Sequence, residues 1–141
     1  GLMQQLRQVL LQAERTQQHI AVLYVDLDRF KAINDVHGHV IGDRVLSTMA
    51  ARLRGVVRTS DLLIRVGGDE FAVLLDHTTP AEVHAHAEGL QSALQGLRYR
   101  DLPVQASVGA ACTGPDVDTP TALVEAASRN RYRRKYQQGQ G

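Results

Sequence analysis

Cysteine, tryptophan and proline are scarce in this chain of 141 residues, which has one cysteine, no tryptophan and four prolines. The lone Cys112 excludes an intrachain disulfide and a zinc site built from several cysteines, and it fits a reducing compartment. The chain also lacks an apolar run of the roughly 18 residues that a membrane-spanning helix needs, and it lacks a signal peptide. We therefore expect a globular, cytoplasmic domain, and this expectation holds also for a full-length protein that is anchored in a membrane.

The chain also has no large excess of either charge, because it contains 16 basic and 15 acidic residues and its net charge is +1. This balance argues against broad binding to nucleic acid or to a membrane surface, although it leaves local patches open. Apolar residues make up 43% of the chain, as is usual for a domain with one core. The chain begins in helical periodicity without a start methionine, so we expect residues 1–141 to be one domain of a longer protein.

The periodic segments predict the order helix, strand, helix, strand, strand, helix, strand, helix. Apolar runs rich in β-branched residues predict strands at 20–25, 62–66, 71–75 and 104–111. A polar stretch from Asn34 to Gly42 is expected to lead into the second helix, and the later helices are expected to begin near Thr79 and Thr119. A hairpin in the middle favours an α+β sandwich with a mixed, largely antiparallel sheet of about five strands flanked by helices.

Acidic residues collect where predicted strands end. Asp26 and Asp28 close an apolar strand and share a face at a spacing of two, while Asp69 and Glu70 lie at the hairpin tip. Carboxylates gathered in this way repel one another without a cation, and hard oxygen ligands favour Mg²⁺ or Mn²⁺ over Zn²⁺. The competing interpretation makes Asp28 a turn cap and the hairpin tip a solvated acidic turn, and spacing alone leaves both open.

Two sequence blocks resemble one known family. The run RVGGDEF at 65–71 contains the motif after which the GGDEF family, the diguanylate cyclases, is named. The segment DLDRFKAINDVHGHVIGD at 26–43 is similar to that family's D-x-D-x-F-K-x-I-N-D-x-x-G-H-x-x-G-D at every fixed position, and SVG at 107–109 is similar to its late S-I-G strand. The blocks keep the family's order and separations over most of the chain, which therefore resembles a GGDEF domain.

The resemblance implies a fold like that of nucleotide cyclase catalytic domains and polymerase palms. It implies the condensation of two GTP molecules into cyclic di-GMP, with Mg²⁺ or Mn²⁺ held by Asp26, the Leu27 carbonyl, Asp69 and Glu70. Asp69 and Glu70 would be the catalytic acids, with Glu70 a further metal ligand or a helper in deprotonating the attacking hydroxyl. One domain binds one GTP, so a transient homodimer is expected to form the complete site.

The resemblance also implies how GTP is bound. Asn34 and Asp43 would read guanine, since a carboxylate accepts from its N1–H and exocyclic amine and adenine offers no matching pair of donors. Other positions would shape the pocket, contact the phosphates or support the loop: Phe30, Lys31, His39, Gly67, Gly68 and Lys135.

A second constellation, Arg58-Thr-Ser-Asp61, resembles the family's R-x-x-D inhibitory site for cyclic di-GMP. Arginine grips phosphate or guanine through two N–H groups, and Asp61 would fix that arginine. The competing interpretation is an ordinary ion pair at a helix end. Many members carry a helper arginine where this chain has Gly89, so we expect reduced affinity for the product.

The C-terminal segment departs from the family pattern. Ser128, Asn130, Arg131 and Arg134 replace an aspartate, two alanines and a methionine, and Gly139 falls where the family has a phosphate-binding arginine. Basic residues from 129 to 135 would either supply the lost contact or form a solvated face. The family's N-terminal D-x-L-T-G-L-x-N-R block is absent.

These departures leave two functions in competition. The leading hypothesis is a diguanylate cyclase with an upstream sensor or dimerisation domain and product inhibition. The alternative is a catalytically weak domain that binds GTP or cyclic di-GMP and regulates an attached phosphodiesterase or other output domain. A purely structural relic fits least well, because binding-only relatives often lose the acids that this chain keeps.

Overall fold

The central element is a four-stranded sheet in which every neighbouring pair of strands is antiparallel. The computed structural model describes residues 2–75 and 78–140, with side chains described for 4–75 and 78–130. The elements in chain order are α1 (Leu2–Thr16), β1 (Ala21–Leu27), α2 (Phe30–His37), α3 (His39–Val56), β2 (Leu62–Arg65), β3 (Glu70–Leu75), α4 (Pro80–Ala93), β4 (Arg98–Tyr99), β5 (Leu102–Pro103), β6 (Ala106–Cys112) and α5 (Pro120–Gln140).

Strand β1 lies inside the sheet, whose order is β2-β3-β1-β6. Both faces of β1 are covered, so its residues are nearly all buried although its side chains alternate between the faces. One face carries Ala21, Leu23, Val25 and Leu27, and packs on α3 and α4. The other carries Val22 and Tyr24 and packs with residues of α1 and α5, including Leu6, Ala13, Leu123 and Ala127. The result is a three-layered α+β sandwich.

The predicted fold class is confirmed, while the sheet differs from the expected count of about five strands. Four strands form the sheet, and β4 and β5 pair only with each other as a separate hairpin. Each is two residues long and the chain turns between them at Arg100, whose φ is 53°. This segment is too short to add a fifth strand.

The connection after β1 contains a helix that periodicity did not predict. Residues 34–42 were expected to be a polar connection, but 34–37 belong to α2 and 39–42 to α3. The chain leaves β1 through Arg29 in the left-handed region at φ 58°. It breaks between the helices at Gly38, where φ is 88° and glycine is favoured. Helix α2 has no fully buried residue, and its apolar residues Phe30 and Ile33 are partly buried against the core.

The predicted hairpin and helix starts are confirmed. Strands β2 and β3 pair from Leu62↔Leu74 to Arg65↔Phe71, with residues 66–69 in the turn. Thr79 caps α4 and α5 begins at Pro120. Within the described part of the chain, no helix combines the length and apolar character needed to cross a bilayer.

Candidate active site

Three carboxylates meet at one end of the sheet. Asp26, Asp69 and Glu70 each offer an oxygen, and these oxygens all lie within 4.8 Å of one another. All three residues are partly buried. Three hard oxygen donors at this separation suit Mg²⁺ or Mn²⁺. The predicted convergence of a strand end and a hairpin tip is therefore what the fold produces.

Strand register explains why the acids converge. Asp26 of β1 lies directly opposite Glu70 of β3, so their side chains share one face. The amide of Leu27 donates to the carbonyl oxygen of Asp69 at 3.1 Å, and this bond holds the turn against the end of β1. Leu27 itself has a buried side chain. The hydrogen bond from its amide to Asp69 places the Leu27 backbone beside the acidic cluster.

The glycine turn is clasped by Arg65, to which the sequence analysis gave no role. Its Nε donates to the carbonyl oxygen of Gly67 at 3.2 Å and its Nη2 donates to that of Gly68 at 2.8 Å. A β-carbon at Gly67 would lie 3.1 Å from Oε2 of Glu70, so glycine leaves room for the acid. Nothing within 4 Å would meet a β-carbon at Gly68, so the turn presents open space there.

A polar notch between α2 and α3 contains Asn34. Its Oδ1 is buried and has no hydrogen-bond partner among the described residues. A β-carbon at Gly42 would lie 1.8 Å from that oxygen and 3.4 Å from Cζ of Phe30. The fold therefore reserves the space beside Gly42 for the Asn34 amide, whose buried oxygen has no partner among the described residues.

The other predicted nucleotide contacts lie on the surface of the two helices. Lys31 in α2, and His39 and Asp43 in α3, are exposed. Asp43 follows Gly42 in the chain, which places it beside the Asn34 notch. The predicted phosphate contact Lys135 belongs to α5, but its side chain lies outside the described residues.

Asp28 is separate from the acidic cluster. Its Oδ1 accepts a hydrogen bond from Oγ of Ser107 at 2.9 Å, and its amide donates to the carbonyl oxygen of Gln105 at 2.8 Å. Ser107 is itself buried. Asp28 therefore ties the end of β1 to β6, although it shares the spacing of two with Asp26.

Arg58 and Asp61 form an ion pair just before β2. Nη2 of Arg58 lies 2.9 Å from Oδ1 of Asp61, and Nε reaches both carboxylate oxygens at 3.2 Å. The hydrogen bond with Asp61 raises the pKa of Arg58, against a smaller opposing effect of burial. The pair borders a cavity of about 250 Å³ that is also lined by His86 and Gly89 of α4.

This cavity lies away from the acidic cluster. Its floor includes Leu23, Val73 and Leu75. These side chains alternate with those of Tyr24 and Asp26 and therefore lie on the opposite face of the sheet. The structure thus separates the two predicted ligand sites into the two faces of one sheet.

Comparison with known proteins agrees with this architecture. Residues 1–141 match the family model described as "Diguanylate cyclase, GGDEF domain", and the chain belongs to the GGDEF family. The chain is 37% identical over 135 residues to the bifunctional diguanylate cyclase/cyclic di-GMP phosphodiesterase MucR of Pseudomonas aeruginosa, covering 94% of this chain and 20% of MucR.

A second relative is the diguanylate cyclase TpbB of Pseudomonas aeruginosa, 39% identical over 137 residues, covering 94% of this chain and 32% of TpbB. The solved GGDEF domain of TpbB matches with a TM-score of 0.85 at 38% identity, covering 96% of this chain and 87% of that one. The chain thus spans between a fifth and a third of the length of these two curated relatives. The expected family and fold are confirmed.

Sequence reasoning missed Tyr24 as part of the site. Its hydroxyl donates to Oε2 of Glu70 at 2.9 Å, although its ring lies in the core. The available signal was its position two residues before Asp26 on the same strand, which puts both side chains on one face. In an apolar run, a tyrosine at that position is indistinguishable from a packing residue.

Proposed function

We propose that this domain is a diguanylate cyclase that condenses two GTP molecules into cyclic di-GMP and two pyrophosphates, in a site formed between two copies. The observation that carries the proposal is the convergence of Asp26, Asp69 and Glu70 beside the Gly67-Gly68 turn. Membership of the GGDEF family supports the reaction class. The Asn34 notch supports a nucleobase as part of the substrate.

The acids would hold Mg²⁺, or Mn²⁺, through carboxylate oxygens of Asp26, Asp69 and Glu70, with the Leu27 carbonyl completing the protein ligands. When bound, the metal supplies charge neutralisation at the triphosphate and polarises the phosphoryl oxygens. Three ionised carboxylates in a partly buried cluster repel one another, and a divalent cation relieves that repulsion. The open space beside Gly68 gives the phosphates access to the backbone of the turn.

The reaction requires positioning more than covalent chemistry. The 3′-hydroxyl oxygen of one GTP forms a bond to the α-phosphorus of the other, and the bond from that phosphorus to pyrophosphate breaks. Glu70 serves as a metal ligand or accepts the proton of the attacking hydroxyl. Two such steps close the ring. Because each domain binds one GTP, the second nucleotide comes from a second copy in a transient homodimer.

Guanine would be read by Asn34 and Asp43, which flank the notch at Gly42. The unpartnered Oδ1 of Asn34 accepts a donor, and guanine offers N1–H and an exocyclic amine. Adenine has an acceptor at N1 and no amino group at C2, so it cannot offer the paired donors that the Asp43 carboxylate would accept, and it is disfavoured. Phe30 shapes the pocket floor, and Lys31, His39 and Lys135 contact the phosphates or support the neighbouring loop.

Regulation would come from the product and from other domains. Cyclic di-GMP would bind at Arg58 and Asp61 and inhibit the enzyme. The chain spans only part of its relatives, and MucR by name combines a cyclase with a phosphodiesterase. We therefore infer that residues 1–141 work as one module of a longer cytoplasmic protein with a sensor or dimerisation domain, and with an output domain in some arrangements.

The decisive experiment incubates the chain, fused to a dimeric coiled coil, with GTP and Mg²⁺ and measures cyclic di-GMP by mass spectrometry. We expect product from the wild type and at least a hundredfold less from Glu70→Gln, in line with the loss of a catalytic acid. The matched control is Glu125→Gln, which changes an exposed acid on α5 and should leave the rate unaltered.

Each other outcome has a defined meaning. Tight GTP or cyclic di-GMP binding without any product from the wild type would favour the alternative of a regulatory binding domain. Undiminished product from Glu70→Gln would show that Glu70 has no part in the chemistry. A rate per chain that stays constant on dilution of the unfused protein would contradict a site shared by two copies.

A further inference from the structure

A tyrosine from the buried core reaches the acidic cluster. The hydroxyl of Tyr24 donates a hydrogen bond to Oε2 of Glu70 at 2.9 Å. Tyr24 is only 6% exposed and Glu70 is partly buried, so this bond is partly sheltered from water. A hydrogen bond to an ionised group in such a place is stronger than one between neutral groups.

Sheet geometry fixes this contact. Tyr24 of β1 pairs with Ala72 of β3, and Asp26 pairs with Glu70, so all four side chains lie on one face. Tyr24 and Glu70 are therefore diagonal neighbours, a separation that an aromatic ring and a long acid can bridge. The small Ala72 beside the ring leaves the hydroxyl a clear path along the face. The bond is thus a consequence of register.

The ring of Tyr24 is held by packing. It belongs to a buried cluster between the sheet and two helices, together with Leu6 of α1 and Leu123 and Ala127 of α5. A side chain fixed in this way presents its hydroxyl at a constant place, since tightly packed rings lose their rotamer freedom. Glu70 begins β3 beside the turn and is only partly buried.

We propose that Tyr24 is a positioning residue for the divalent cation: its hydroxyl holds the Glu70 carboxylate in the orientation that faces Asp26 and Asp69. The inference rests on the proposed function, because it assumes that the three acids bind the metal. Partners that orient a metal-binding side chain commonly contribute ten- to a hundredfold to affinity, roughly as much as a weak ligand. Tyr24 therefore links the α1–α5 layer of the core to the chemistry at the hairpin.

The test measures the affinity for Mn²⁺ alone by electron paramagnetic resonance, in the absence of nucleotide, so the readout does not depend on turnover. Tyr24→Phe removes the hydroxyl and keeps the ring. We expect about tenfold weaker Mn²⁺ binding and a correspondingly higher half-saturating Mg²⁺ concentration in the cyclase assay, with activity recovered at saturating Mg²⁺. Tyr99→Phe is the matched control, since Tyr99 lies in the β4–β5 hairpin and should bind Mn²⁺ like the wild type.

A double-mutant cycle separates positioning from packing. If the hydroxyl acts through Glu70, then Tyr24→Phe changes Mn²⁺ affinity less than about twofold in a Glu70→Gln background. An equal loss in both backgrounds would overturn the inference and make the effect structural. Thermal unfolding of each variant without metal checks that the fold persists.

Different results would overturn the role of Tyr24 and the proposed function. Tyr24→Phe could bind Mn²⁺ with the affinity of the wild type while Asp69→Asn loses Mn²⁺ binding. This result would overturn the role of Tyr24 and leave the proposed function standing. Failure of the wild type to bind Mn²⁺ at the acids, seen as identical titrations for the wild type and Asp69→Asn, overturns both.

Discussion

A β-carbon at Gly42 would lie 1.8 Å from Oδ1 and 3.0 Å from Cγ of Asn34. The carboxamide of Asn34 therefore occupies the volume that any other residue at position 42 would need. Glycine inside a helix costs about 1 kcal/mol relative to alanine, so α3 retains it against local propensity. The absence of a side chain at Gly42 in α3 therefore allows the position that the Asn34 carboxamide takes in α2.

Gly42→Ala should therefore damage nucleotide binding more than folding. The added methyl group displaces the Asn34 carboxamide, which is the flexible partner in the collision. We expect GTP to bind about tenfold more weakly, since one specific hydrogen bond to the base is worth about 1.4 kcal/mol. Discrimination between GTP and ATP should fall with it. Calorimetric titration with each nucleotide measures both effects.

Gly55→Ala is the matched control for that change. Gly55 lies in the same helix, and nothing within 4 Å would meet its β-carbon. This variant should bind GTP normally and gain up to about 1 kcal/mol of stability. Equal GTP affinities for the two alanine variants would contradict the role of the Asn34–Gly42 contact.

Arg65→Lys should loosen the glycine turn without unfolding the domain. The guanidinium of Arg65 spans the carbonyl oxygens of Gly67 and Gly68, whereas a lysine ammonium is a single point charge. We expect kcat to fall about tenfold through misplacement of the turn, with a midpoint of thermal unfolding close to that of the wild type. Arg54→Lys, an exposed change in α3, should leave kcat unaltered. An unchanged kcat in Arg65→Lys would mean that the clasp is dispensable.

Sequence patterns predicted the parts of this fold whose causes are local. The strands at 62–66 and 71–75 with glycines between them could only form a tight hairpin, and the Thr79-Pro80 pair starts α4 as expected. Helix α2 was missed because it is only eight residues long, so its partly buried Phe30 and Ile33 give too short an apolar pattern for helical periodicity to be recognised. The four predicted strand runs correspond to β1, β2, β3 and β6, and β4 and β5 form a separate hairpin and not a fifth strand of the sheet.

The candidate site also contains residues that the sequence predicted and contacts that it did not. Acids at strand ends drew attention to Asp26, Asp28, Asp69 and Glu70, and the family resemblance then implied that Asp26, Asp69 and Glu70 hold the metal. The separation of Asp28 from them depends on Ser107 of β6, a partner 79 positions away that spacing cannot identify. The contact of Tyr24 with Glu70 depends on strand register, which the sequence does not specify. Prediction therefore stopped where contacts become long-range.

The cap of α4 predicts a pH dependence of stability. Hydrogen bonds from the Thr79 side chain and then its backbone lower the pKa of Glu82. A lowered pKa in the folded state contributes stability above the ordinary value of about 4.3, and that contribution is lost as the pH falls through the folded value. Urea unfolding should therefore show wild type more stable than Glu82→Gln at pH near 7, with a smaller gap at a pH below the ordinary value of about 4.3.

Glu125→Gln is the reference for this comparison, because Glu125 is exposed on α5. Its gap to the wild type should stay small at both pH values. A Glu82→Gln gap that persists unchanged in acid would show that the carboxylate charge is not what stabilises the cap.

Arg58→Ala should relieve product inhibition. The hydrogen bond with Asp61 raises the pKa of Arg58, which favours the charged guanidinium. Removing the guanidinium deletes the group that would grip the product phosphate. We expect the half-inhibitory concentration of cyclic di-GMP to rise about tenfold or more, while the initial rate without product is unchanged. Progress curves of Arg54→Ala, from the exposed face of α3, should match the wild type.

Gly89→Arg should have the opposite effect. Gly89 lines the same cavity as Arg58, and nothing within 4 Å would meet a β-carbon added there. The helix accepts arginine more readily than glycine, so α4 should not be weakened. A second guanidinium facing the cavity adds a charge-assisted contact to an anionic ligand, and we expect cyclic di-GMP to inhibit at about tenfold lower concentration. Cyclic di-GMP could inhibit Gly89→Arg no more strongly than the wild type while Arg58→Ala still relieved inhibition. The product would then approach Arg58 from a side that α4 does not border.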